Sequence, residues 1–400
     1  MAKPTPGRAL LAGFAATMAT LATMGPATAA PSRPAAGCAQ PTGVYADETP
    51  WPQKLLDPAR VWPLTAGAGV SVAVLGAGVD ANNAQFAQGQ VRAGIDLTGA
   101  RQPATTDCDG RGTFAAGIIA ARVSTATIFS GVAPDARIIP IRYTHTAQQG
   151  AATSDPNLLA AAIQSAVGAG AKVICVVAPS ATDSPALHAA VAKARAADAV
   201  VVSPVATAQS SNGAPTYPTT DDLVLSVAAI GADGGAVSTQ TGDYVDVAGP
   251  GKGLVGLAAG TGRKLGHVWP VDDPAFAAAY VAGVIALVRS YRPNLSAAQV
   301  VQRIERTATR TAAGARDPRL GWGVVDAYAA VSAEGMDGAT SAVATAPQRV
   351  QPARVAAMTR QDEATAATAI GGLVLSVTLA LGVAVIRRGR SRGWRSARRN

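Results

Sequence analysis

An α/β domain on a mainly parallel sheet, followed by one C-terminal transmembrane helix, is the fold class this sequence predicts. Three observations carry it. Between Val61 and about Val331, short β-branched apolar runs alternate with stretches of helical spacing, as in a sheet covered on both faces. Ala364 to Ile386 is an uncharged, mostly apolar run of 23 residues, enough to cross the roughly 30 Å of a bilayer core as a helix. Seven arginines follow it at once, and the positive-inside rule then leaves the tail in the cytoplasm and the body outside.

Taken in order, Met1 to Arg8 is a short basic region and Ala9 to Met24 an apolar one. Ala27-Thr28-Ala29 then offers the small-x-small cleavage site of a secretory signal over residues 1–29. Residues 30–60 are Pro-rich with little periodicity and read as an extended segment lying over the domain. Within the domain, 61–333, strands are expected at Ser71–Leu75, Ile138–Arg142, Lys172–Ala178 and Ala199–Val202. Gly112–Arg122, Pro156–Gly168 and Pro185–Ala197 carry helical spacing. Ala275–Tyr291 is nearly all apolar, hence a buried helix. Ser296 with Gln299 forms a capping-box signature for the next, with Val300, Ile304 and Thr307 on one face. Residues 334–363 are a linker rich in Ala, Thr, Pro and Gln, 364–386 the membrane span and 387–400 the basic tail.

The net charge of +9 does not indicate a nucleic-acid partner. Nine of the 34 basic residues lie in the first 29 positions or after Ile386, and the 25 left between them face all 25 acidic ones. A phosphate footprint needs a basic patch on the folded domain, and the body is formally neutral. Of three cysteines, Cys175 lies in the apolar run Lys172–Ala178 and reads as an inert core thiol, which leaves Cys38 and Cys108 as the disulfide of an exported protein. The three histidines are scattered, and Asp107-Cys-Asp109 gives no zinc spacing and reads as a solvated turn. No metal or cofactor is expected.

Ser71 to Asp80 also looks like a dinucleotide-binding strand and turn, with Gly76, Gly78 and Ala81 fitting G-x-G-x-x-A and Asp96 at the ribose spacing. The match needs a helix straight after the turn, and Asn82-Asn83 with an early Gly89 makes a poor one.

Five segments, in order, resemble the subtilase family, most closely its mycosin branch. Asp109-Gly-Arg-Gly-Thr-Phe-Ala-Ala-Gly117 is similar to the D-G-H-G-T-x-V-A-G segment of the catalytic His. Gly131-Val-Ala-Pro134 resembles the turn after it, and Tyr244 to Gly251 the V-D-V-A-A-P-G strand and turn. Phe276 to Val284 resembles the helix behind the nucleophile, and Leu320 to Asp326 the closing G-x-G-x-V-D element. The resemblance implies a three-layer subtilisin-like domain, a Ser-His-Asp triad with an oxyanion amide, and a place beside the type VII secretion machinery in actinobacterial membranes.

The triad itself is replaced. The family's Asp position falls on Gly76, its His position on Arg111 and its Ser position on Ala275, with G-T-S matching Asp273-Pro274-Ala275. The oxyanion Asn falls on Thr207, or on Ala206 one residue earlier. Ala275 has no nucleophile, Arg111 stays protonated and cannot act as a base, and Gly76 has nothing with which to orient one. His145, His188 and His267 lie in no comparable turn, and Asp80 matches an acid the family often carries beside its catalytic Asp. Three readings follow: a pseudoprotease serving a type VII secretion complex as a structural or regulatory part; a peptide-binding module using the same cleft, where Arg111 would favour a carboxylate; and an endopeptidase with an unconventional site.

Overall fold

The computed structural model describes residues 38–100, 102–144, 155–205, 214–238, 240–310, 316–335 and 388. The expected signal segment, the linker from residue 336 on, the span and most of the tail, together with Ala206, Thr207 and His145, lie outside the described residues. Residues 1–38 and 39–400 form separate units, and Cys38 is the one described residue of the first.

Seven parallel strands make the central sheet. They are β1 (Ser71–Gly76), β2 (Ile95–Asp96), β3 (Arg137–Arg142), β4 (Val173–Val176), β5 (Val200–Pro204), β6 (Val224–Ile230) and β7 (Val247–Pro250), in the order β2-β3-β1-β4-β5-β6-β7. Because strand side chains alternate between faces, Val72 and Val74 enter one core while Ala73 and Leu75 enter the other. The first core is closed by α3 (Arg111–Ala120) and α6 (Ala277–Tyr291), the second by α4 (Pro156–Gly168) and α5 (Pro185–Ala196). The result is a three-layer α/β arrangement, as expected.

Local chemistry explains where the helices begin. Asp155 accepts from Asn157 N at 2.8 Å and Ser184 from Leu187 N at 3.2 Å, each ahead of a proline that presets the first helical φ. The capping box forms at α7 (Ala297–Thr307) between Ser296 and Gln299. Helix α6 is buried from Ala277 to Arg289. With the 3₁₀ turn before it, it is the one stretch among the described residues apolar and long enough to cross a bilayer, but 83% of it is inside the protein. It is a core helix.

Several expectations need correction. The stretch from residue 51 to 60, expected to be extended, contains α1 (Trp51–Leu56) and most of α2 (Pro58–Val61). The buried helix starts at Ala277 rather than Ala275, after a 3₁₀ turn over Pro274–Phe276. An antiparallel pair, β8 (Leu254–Leu257) and β9 (His267–Val271), and a short last helix α8 (Ala327–Ser332) were not anticipated. Asp107 and Asp109 are buried, not solvated. Cys38 and Cys108 are disulfide-bonded, while Cys175 is a free thiol that burial pushes up to about 12.

Candidate functional site

The close approach of two backbones sets the site. Gly78, at φ +111°, carries its carbonyl so near Gly112 that a Cβ there would sit 1.8 Å from the oxygen. This presses the start of α3 onto the turn that leaves β1, and Thr113 Oγ1 accepts from Asp80 N at 2.8 Å across the same contact. Gly110, at φ +81°, enters α3 without a side-chain cap. Asp107 substitutes for one by accepting from Gly110 N at 2.9 Å and from Thr113 N and Oγ1 at 2.8 and 2.7 Å. Burial raises the Asp107 carboxyl to about 6 against those hydrogen bonds, and Asp109 adds to the rise.

Gly76 ends β1 opposite Arg142 of β3. A Cβ at Gly76 would meet Val177 Cβ at 3.7 Å, ordinary contact, so no steric demand keeps a glycine there. The Arg142 guanidinium donates to Gln102 Oε1 and Pro103 O, each at 3.1 Å, and to Thr106, which pins the loop ahead of α3 over the strand ends.

Arg111, the first residue of α3, forms an ion pair with Asp273, whose side chain is 4% exposed against 13% for the arginine. Asp273 also accepts from Ala275 N at 2.9 Å and so caps the 3₁₀ turn. The guanidinium lies 5.2 Å from the centre of the Phe276 ring, and Phe276 packs on Phe114 at 4.4 Å between centroids. Ala275 presents a buried methyl group beside them. Position 111 and the 273–275 turn are therefore held together by a charge pair, and the cleft between α3 and β9 encloses about 470 Å³. The charge of Arg111, expected to favour a ligand carboxylate, is engaged by Asp273.

The other candidates are engaged elsewhere. Asp80 accepts from Asn82 N at 2.9 Å and Gly260 N at 2.7 Å and shapes a turn. Asp96 lies on β2, and no helix follows the Gly76–Gly78 turn until α3, so the dinucleotide pattern lacks its helix. His188 is exposed between Asp183 and Asp221 at 2.8 and 2.7 Å, and both carboxylates raise its pKa. His267 is fully buried, its Nε2 2.7 Å from Gln85 Oε1 and its Nδ1 accepting from Tyr45 N at 3.1 Å. Burial lowers its pKa to about 4, so the ring is neutral. Among the described residues no group of acids, histidines and cysteines could hold a metal ion. Asp273, Arg142 and Asp107 carry the local geometry and were missed as such. The signal for Asp273 was its charge, opposite to that of Arg111, at a motif position where the resembled pattern has glycine.

The Subtilase family model matches residues 67–323. The chain is 37% identical over 384 residues to mycosin-4 of Mycobacterium tuberculosis, covering 84% of this chain and 82% of the relative. It superposes with a TM-score of 0.61 on the serine protease MycP1, described as an essential component of the type VII (ESX-1) secretion system, at 30% identity over 74% of this chain and 92% of that one. A chain of an intact ESX-5 inner membrane complex matches with a TM-score of 0.62 at 27% identity, covering 87% of this chain and 94% of that one.

Proposed function

The chain belongs to the subtilase family, in its mycosin branch, and from that premise we propose that it is a catalytically inactive member acting as a structural or regulatory component of a type VII secretion complex. The observation that carries the reading is the Arg111–Asp273 pair beside Ala275. A serine nucleophile, an imidazole base and an orienting carboxylate are each replaced by a group that cannot do the same work. Ala275 has no hydroxyl, Arg111 holds its proton and is bound to Asp273, and Gly76 has no side chain. Losing a triad alone leaves roughly 10³–10⁴ over water when the oxyanion hole survives. Thr207, or Ala206, in place of the oxyanion amide would remove about another 10²–10³.

The secretion role is supported by the mycosin relatives and by the match to a chain of the ESX-5 complex. On this reading 1–29 is a signal peptide, 30–60 an N-terminal extension and 61–333 the domain outside the membrane. Residues 334–363 are then the linker, 364–386 the single span and 387–400 a cytoplasmic tail. The test is purification of the full-length protein from its own membranes in mild detergent, with mass spectrometry of what co-elutes. Secretion-complex subunits in stoichiometric amounts are expected. A protein that elutes alone sinks the secretion role.

A further inference from the structure

Two stretches of chain meet beside the start of α5. Ser180 N donates to Tyr217 O and Tyr217 N to Ser180 O, each at 2.8 Å. Just after Tyr217, Thr219 Oγ1 donates to Pro204 O at 2.9 Å and fastens the second stretch to the end of β5. His188, in the first turn of α5, joins the two stretches through its ring. Its Nε2 lies 2.8 Å from Asp183 Oδ2, ahead of α5, and its Nδ1 lies 2.7 Å from Asp221 Oδ2, ahead of β6. An ionised carboxylate only accepts, so both ring nitrogens must donate, and only the imidazolium has two N–H groups. Loss of one proton sets a nitrogen lone pair against a carboxylate oxygen at contact distance. Asp221 is 11% exposed and also holds Leu223 N at 2.9 Å, whereas Asp183 is 39% exposed, so the Asp183 arm is the one free to move away. The elements packed on α5 bring few other charges. α4 and β5 carry no ionisable side chain apart from Asp155 at the cap of α4, and Lys193 and Arg195 belong to the last turn of α5. Tyr217 and Asp222 are the other titratable groups on the two stretches.

We infer that His188 is a proton-operated latch, which holds residues 180–184 against 216–222 while its ring is charged and releases Asp183 when the ring is neutral. The proton thereby selects between two arrangements of this surface. Hydrogen bonds to Asp221 and then to Asp183 raise the His188 pKa above 6.5. The folded chain then holds the proton more tightly than the unfolded one, so the stability the latch contributes is complete below pH 6.5 and is lost as pH rises through the raised value. Salt weakens it, because the ring is half exposed. The latch is independent of whether the chain cleaves peptides.

The test uses the full-length protein in detergent micelles from about pH 5.5 to 9, a range that spans histidine titration. Mass spectrometry of imidazole C2-hydrogen exchange reads the His188 pKa. Amide exchange, corrected for its intrinsic pH dependence, reads the protection of 180–184 and 215–222. His188 should titrate above 6.5, and both stretches should lose protection through the same pH, about tenfold for each unit above 6.5. Asp183→Asn combined with Asp221→Asn keeps the acceptors for Ser184 N and Leu223 N and should return the His188 pKa toward 6.5. His188→Gln should show the alkaline level of protection at every pH. A His188 that titrates at or below 6.5, wild-type protection that does not change with pH, or a His188→Gln protein that keeps the acid level would each overturn the inference. So would an equal loss of protection in β1 and β4, which would mean general unfolding rather than release of a latch.

Discussion

Position 76 has room for a side chain, and position 112 has none. Gly76→Ala meets only ordinary contact and removes freedom from the unfolded chain, so it should raise stability by about 0.5–1 kcal/mol. Gly112→Ala drives a methyl group into the Gly78 carbonyl and should cost about 3 kcal/mol or more, or prevent folding. Chemical denaturation of the two variants checks the contrast. Arg111 and Asp273 make a nearly buried pair, for which removing one partner costs about 3–5 kcal/mol and removing both costs less. A double-mutant cycle with Arg111→Met and Asp273→Asn should therefore show strong positive coupling; additive losses would mean that the pair is only a contact. Motif order made positions 76, 111 and 275 legible in the sequence. The closeness of position 111 to the 273–275 turn was not, because it depends on a contact between residues 162 apart.

Helices that start at a cap and a proline were readable because their signals are local, as at Asp155-Pro156 and Ser184-Pro185. Strand β2 has two residues, and β9 carries Pro270 inside it, so neither shows the alternation that marks a strand. β9 nevertheless organises the N-terminal side of the domain. His267 N donates to Gly43 O at 2.7 Å, its carbonyl accepts from Thr42 N at 2.8 Å, and its ring accepts from Tyr45 N. With a ring pKa lowered from 6.5 to about 4, the unfolded chain binds the extra proton throughout that window. Stability contributed here is complete above pH 6.5 and is lost as pH falls through about 4, by a few kcal/mol in all. Asp107, raised to about 6, acts the other way between that value and 3.8. The histidine's share is therefore read as a difference. The His267→Gln protein should have a shallower acid limb than wild type, and identical limbs would contradict the assignment.

Across the whole molecule, the alternation of strand and helical runs identified the parallel sheet, since buried parallel strands need β-branched runs and crossover helices. Strand order could not be read that way. It follows from which helix faces meet which sheet face, as with Arg289 of α6, whose guanidinium reaches Asp198 and Leu295 O and ties the end of that helix to the turn before β5. The retained framework sets a prediction at this scale. Gly76→Asp, Arg111→His, Thr207→Asn, Asp273→Gly, Pro274→Thr and Ala275→Ser made together should restore measurable casein hydrolysis, while Ala275→Ser alone should stay silent, because triad members act as a unit. The most direct measurement of the central claim is labelling of the full-length wild-type protein with a fluorophosphonate probe, which reports an activated serine. The account predicts no labelling of this chain beside an active mycosin treated identically. Stoichiometric labelling that a serine-protease inhibitor blocks would contradict it.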